Sequence, residues 1–185
     1  MRIISGKFKS KSIHFIKSLK TRPLKDSVKE NIFNMMTHNI ELKIDIKSSK
    51  VLDLYAGFGS FGLECISRGA RKVTFVEKDQ IVIKTLKKNL SKFSIDNAAN
   101  IIHGKVEDVR FKNMEKQQIF FFDPPYNESA FDKNLIKIRD SKVFDKYHLV
   151  IIHREKNSKD VLENLLYIKK EKIYGRSKII FGIFK

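Results

Sequence analysis

From Lys50 onward, short apolar runs alternate with stretches whose apolar residues recur at helical spacing, and this alternation limits the fold more than any other feature. Residues 51–54, 72–76, 100–103, 119–122 and 149–152 read as strands. Helices are expected from the glycine-rich turn through Arg68, closed by Gly69, and over 79–93, 131–139 and 159–166. Two closing runs, 168–174 and 178–184, read as an antiparallel pair joined through Gly175. Strands separated by helices of this length require a mostly parallel sheet covered on both faces, an α/β architecture. Ligands of such sheets bind beyond the carboxyl ends of the strands, near the point where strand order reverses.

Ahead of this region, residues 1–19 alternate basic and apolar side chains, as in a small β-hairpin with Gly6 near its start. Thr21-Arg22-Pro23 then leads into a helix that Asp26 or Ser27 could cap, with Val28, Ile32, Met35 and Met36 at helical spacing. The expected division is an extension over 1–45 and a main domain over 46–185.

At 185 residues the chain fits one compact domain with a small extension. No apolar run approaches the roughly 20 residues that span a bilayer, and the first residues lack the apolar core of a secretory signal. Cys65 is the only cysteine, which excludes an internal disulfide and a cysteine-built zinc cluster. A cytoplasmic protein, monomeric and without a metal, is expected. Lys and Arg number 38 against 21 Asp and Glu, a net charge of +17. That excess suits a polyanionic partner, but a lysine-rich composition also arises from an AT-rich genome. The charge gains meaning only beside a site that needs nucleic acid.

Such a site is visible at two strand ends. Gly57, Gly59 and Gly62 follow the first strand and open a helix, a spacing that lets a ligand approach the backbone and the helix N-terminus. Glu77 ends the next strand, where a carboxylate can accept hydrogen bonds from both ribose hydroxyls of an adenosine. The pattern also satisfies a dinucleotide fingerprint. Asp53, just ahead of the glycines, favours S-adenosylmethionine instead: it would meet the amino group of the methionine moiety and repel a pyrophosphate. Tyr55, Ser60, Lys78 and Val106 stand at the neighbouring strand ends and are further candidates for the donor site.

Asp123-Pro124-Pro125-Tyr126 follows the apolar run 119–122. Two consecutive prolines donate no backbone hydrogen bonds and make a stiff loop. The Asp123 carboxylate and the Pro124 carbonyl could each accept one hydrogen of an exocyclic amine, aiming its lone pair at a methyl donor, while Tyr126 offers a stacking face. Such chemistry needs an unstacked base. All three prolines of the chain stand beside candidate site residues.

These residues resemble the RsmD-type bacterial 16S rRNA guanine-N2 methyltransferases over essentially the whole chain. The resemblance is carried by Met1-Arg2-Ile3-Ile4-Ser5-Gly6-Lys7, Thr21-Arg22-Pro23, Val28-Lys29-Glu30-Asn31-Ile32-Phe33-Asn34, the segment 51–64, Ser67-Arg68-Gly69-Ala70 and the Asp123–Tyr126 motif. It implies a Rossmann-like class I methyltransferase with a seven-stranded, mostly parallel sheet whose last strand is antiparallel, preceded by a small hairpin and helix extension that contacts RNA. It implies S-adenosylmethionine as donor and 16S rRNA, in the small ribosomal subunit or an assembly intermediate, as partner. Asp53, Gly57, Gly59, Glu77 and Asp123 would serve the donor, Asp123 to Tyr126 the target base. Arg22, Lys7 and Lys9 are candidates for RNA phosphates. Lys105 stands where the family often has Asp or Asn to hold the adenine amino group; lysine has no acceptor, so Glu107 or Asp108 would have to supply it, beside the Val106 N–H. The alternatives are adenine-N6 methylation of RNA or DNA, an NAD-dependent oxidoreductase, and an RNA-binding protein without activity. His103 and His153 receive no catalytic role.

Overall fold

The computed structural model describes residues 1–16, 24–42, 44–125, 128 and 130–185. Arg22, Pro23 and Tyr126 lie outside the described residues. After α1 (Asp26–His38), the chain runs β1 (Lys50–Leu54), α2 (Ser60–Ser67), β2 (Lys72–Glu77), α3 (Gln80–Phe93), β3 (Ala99–His103), β4 (Gln117–Phe122), α4 (Phe131–Ser141), β5 (Phe144–Glu155), β6 (Leu166–Tyr174) and β7 (Ser177–Phe184).

The strands form one sheet in the order β3-β2-β1-β4-β5-β7-β6. β3, β2, β1, β4 and β5 pair in parallel, and β7 lies antiparallel between β5 and β6. The chain travels outward from β1 to β3, returns to β4 and travels the other way, so β1 and β4 flank the switch point. The strand side chains alternate between two cores. Val51, Val73, Phe75, Ile119, Phe121, Ile151 and Ile179 pack with α1, α2 and α3. Leu52, Leu54, Val76, Phe120, Phe122, Val150, Ile152 and Ile180 pack with α4. The same alternation puts Asp53 of β1 and His153 of β5, and Asp123 just past β4, on the α1–α2–α3 face.

Three local expectations change. Among the described residues the N-terminal hairpin is short, with one antiparallel bridge, Arg2 to Ser12, and Ile3, Ser10 and Ile13 N–H donating to the Lys11, Ile3 and Met1 carbonyls. Other backbone donors of the segment go to α2: Ile4 and Ser5 N–H donate to the Glu64 carboxylate, Lys7 N–H to the Ser67 carbonyl and Phe8 N–H to the Ser67 hydroxyl. Gly6, at φ +80°, meets the Ser67 backbone where a side chain would not fit. Ile3, Phe8 and Ile13 thereby enter the same core as α1 and α2. Second, the residue before α1 is Lys25 and no side chain caps the helix; Asp26 is its first residue, set toward Arg2 and Lys29. Third, residues 159–166 form no helix. Leu165 and Leu166 N–H both bond to the Leu162 carbonyl, giving one turn before β6 begins at Leu166. Leu162 and Leu165 still bury themselves under the sheet; the apolar spacing marked burial, and the start of β6 left no length for a helix to propagate.

Candidate active site

The turn after β1 is held in an unusual backbone path. Tyr55, Gly57 and Gly59 have φ of 58°, 56° and 81°. Left-handed backbone costs a non-glycine residue about 1–2 kcal/mol, so Tyr55 needs an anchor. Its hydroxyl accepts a hydrogen bond from Asn134 of α4 at 2.8 Å, and burial pushes the phenol up to about 12. Asn89 of α3, wholly buried, fixes the next stretch: its amide donates to the carbonyls of Phe58 and His14 and accepts from the His14 N–H.

Asp53 is buried at the end of β1, where its carboxylate accepts the Gly62 N–H of the first turn of α2 at 2.9 Å. Burial holds this carboxyl well above the ordinary range; the Gly62 bond opposes that, and the charges of Asp123 and Glu77 add to it. Glu77, at the end of β2, accepts N–H groups from Gly57, Lys78 and Asp79 at 2.8–2.9 Å. A carboxylate has about four acceptor positions, so one remains for a ligand hydroxyl in this arrangement. Asp123 follows β4, its Oδ1 2.8 Å from Nδ1 of His153. Three carboxylates thus gather at the ends of β1, β2 and β4, and among the described residues no lysine or arginine pairs with any of them. This donor set fits a ligand carrying an ammonium and a sulfonium, and would repel a pyrophosphate.

Not every candidate joins the cluster. Ser60 is buried with its hydroxyl accepting from Lys29 Nζ at 3.2 Å, so it faces α1. Tyr55 faces α4. Lys78 is exposed, and its carbonyl lies 3.2 Å from His103 Nε2. Val106 is buried at the start of a single 3-10 turn, Val106–Asp108, beyond β3. Lys105 is exposed and paired with Glu107 at 3.2 Å, so the residue without an acceptor brings one beside it. Pro124 is buried and Pro125 exposed, its carbonyl accepting from the Glu128 N–H at 2.9 Å. Lys7 and Lys9 are exposed near Ser67, at the opposite end of α2 from the glycine turn, about 10 Å along the helix axis. Cys65 is wholly buried and packed in the core, and burial pushes its thiol up. Two residues gain a place here that the sequence does not assign them: His153, which has no catalytic role on sequence grounds, and Asn89. His153 carried no local signal, because only strand register puts it beside Asp123. Asn89 did carry one: it is a polar residue within the buried stripe Leu86, Asn89, Leu90 and Phe93 of α3.

A sheet in this order, with a glycine turn after β1 and carboxylates at the ends of β1, β2 and β4, defines a class I methyltransferase. A solved Escherichia coli chain, the methyltransferase candidate yhhF, shares the fold with a TM-score of 0.81 over 100% of this chain and 98% of its own, at 23% identity. A methylase candidate from Haemophilus influenzae gives 0.74 at 28% identity, over 100% and 98%. The chain belongs to the family described as conserved hypothetical protein 95, the RsmD family, whose model matches residues 1–183. Ribosomal RNA small subunit methyltransferase D of Haemophilus influenzae is 30% identical over 178 residues, 95% of this chain and 89% of that one. Its Escherichia coli namesake is 27% identical over 177 residues, covering 95% and 86%. Among the described residues no helix is long and apolar enough to cross a membrane.

Proposed function

We propose that this enzyme transfers a methyl group from S-adenosylmethionine to the exocyclic N2 of a guanine in 16S rRNA, acting as a cytoplasmic monomer on the small ribosomal subunit or its precursor. The carrying observation is the carboxylate cluster: Asp123, followed by two prolines, stands beside the switch point with Asp53 and Glu77 and no lysine or arginine counter-ion among the described residues. Relatives named for methylation of small-subunit rRNA support the substrate class.

S-adenosylmethionine supplies an already activated methyl group, so the protein's share is positioning and charge complementarity. Asp53 offers negative charge toward the ammonium end. Glu77 accepts from a ribose hydroxyl through its remaining position. The Val106 N–H meets the adenine ring, with Glu107 as acceptor for its amino group. At the other side, Asp123 and the Pro124 carbonyl accept one hydrogen each from the guanine amine, turning its lone pair toward the methyl group. Asp123 then takes the proton that the nitrogen loses. Tyr126 stacks on the base. Residues 1–45, with Lys7, Lys9 and Arg22, contact RNA phosphates away from the reacting atoms.

Mass spectrometry of nucleosides from 16S rRNA of cells with and without the protein tests this. One N2-methylguanosine should disappear with the protein and return when it is restored. Loss of N6-methyladenosine instead, or no change, would overturn the reading.

A further inference from the structure

The sheet places a histidine and a serine directly behind the acid that receives the target amine. Phe122 of β4 pairs with Ile152 of β5, so the next residues, Asp123 and His153, lie side by side. Across β5 and β7, His153 pairs with Ile179, and Ser177, two residues before Ile179, presents its side chain on the same face. The atoms meet accordingly: His153 Nδ1 is 2.8 Å from Asp123 Oδ1, and His153 Nε2 is 2.9 Å from Ser177 Oγ. The imidazole is the more buried partner, its side chain 10% exposed against 23% for Asp123.

We infer that His153, oriented by Ser177, is a positioning residue that holds Asp123 for the methyl-transfer reaction. The inference rests on the reading of Asp123 as the acceptor of the guanine amine. An ionised carboxylate only accepts, so Nδ1 carries the hydrogen that bridges to Oδ1. Neutral imidazole then has Nε2 as an acceptor, and the Ser177 hydroxyl donates to it. Both ring nitrogens are committed and the ring cannot flip without breaking two bonds. One acceptor position of Oδ1 is thereby taken, the carboxylate plane is set, and Oδ2, which accepts from no donor among the described residues, is the oxygen best placed for the amine. A carboxylate without this brace would rotate among several planes, and only some would align the amine lone pair with the methyl group. The brace joins the end of β4 to β5 and β7, strands that are hydrogen-bonded to one another in the sheet.

Two kinds of measurement test it. In the protein without cofactor or RNA, nitrogen-15 NMR of the imidazoles should show His153 with a protonated Nδ1 and an unprotonated Nε2, and this preference should vanish in Asp123→Ala. A His153 protonated at Nε2 alone in the wild type would overturn the inference. In steady-state kinetics, His153→Leu should lower kcat by about ten- to a hundredfold, with the RNA KM and the calorimetric affinity for S-adenosylmethionine nearly unchanged. His153→Asn, which keeps a donor toward Asp123, should recover part of the loss, and Ser177→Ala should show a smaller loss of the same kind. Ser177 is half-exposed, so its variant reports on the brace even where the His153 variants fold poorly. Wild-type kcat in folded His153→Leu, or in Ser177→Ala where His153→Leu does not fold, would sink the brace while leaving the proposed function standing. A wild-type enzyme that methylates no guanine would sink the function, whatever the imidazole reports.

Discussion

Charge is gathered twice on the same side of the sheet, in opposite ways. Where α1 meets α2, Lys29 and Glu64 are both wholly buried, and their charges are answered on the spot. Lys29 Nζ lies 3.9 Å from Glu64 and 3.7 Å from Asp26, and donates to the Arg2 carbonyl at 2.6 Å. Glu64 accepts from Ile4 and Ser5 N–H and from Arg68 Nε. Burial still draws the Lys29 ammonium below its ordinary value, against the opposing pull of Glu64 and Asp26. At the ends of β1, β2 and β4, by contrast, Asp53, Glu77 and Asp123 are met by backbone N–H groups and one histidine. The first cluster is complete and ties the N-terminal segment to the sheet domain. The second carries surplus negative charge that a cationic ligand would neutralise. On a protein of net charge +17, an acidic cluster of this kind suits a cationic donor, while the basic surplus elsewhere suits a polyanion.

The largest effect that would break this contrast is on chemistry. Asp123→Ala should reduce methyl transfer by about 10²–10⁴-fold, while calorimetry finds S-adenosylmethionine binding largely intact; unchanged activity would remove Asp123 from the reaction. At the complete cluster the effect should be on stability. Lys29→Ala removes the buried ammonium but leaves Glu64 its Arg68 and backbone donors, so the loss should fall at or below the ~3–5 kcal/mol typical of breaking a buried pair, to be read from urea unfolding. A wild-type midpoint there would mean that the two clusters do not differ in kind. Glu77→Ala should weaken S-adenosylmethionine binding by about 1.5–3 kcal/mol, the range for hydrogen bonds to a charged group, with calorimetry as the measure.

The smallest effect concerns pH. The Asp53 carboxyl titrates above its ordinary value of 3.8 in the folded protein. Folding therefore favours its protonated form. That contribution to stability is complete below the ordinary value and is lost as pH rises through the raised one. Asp53→Asn keeps an acceptor for the Gly62 N–H but cannot ionise. The stability of the variant relative to wild type should rise as pH is raised across that window. Parallel unfolding curves at each pH would contradict the buried, ionisable state assigned to Asp53.

Much of this was legible in the chain itself because the signals are local. Alternating apolar periods mark β1 to β5 within a residue or two of their cores, although β5 extends well beyond 149–152 to Phe144–Glu155. Glycines at 57 and 59 mark a path that needs positive φ, and Asp53, Glu77 and Asp123 fall at the carboxyl ends of β1, β2 and β4, the side on which parallel sheets bind ligands. The same local rules misread the 159–166 segment, whose apolar spacing reports burial of Leu162 and Leu165 without the length for a helix. They also counted Ser60 toward the ligand, although the turn carries it inward to Lys29.

What the sequence by itself determined is the alternation of elements, the glycine turn and the three strand-end acids, since each depends on residues within one or two turns of chain. Only the tertiary structure decided which distant groups share an environment. Glu64 meets backbone donors about 60 residues earlier, and Asp123, His153 and Ser177 line up across three strands. The strand line-up follows from sheet order and register and the Glu64 contacts from packing of the N-terminal segment on α2, and no periodicity along the chain encodes either.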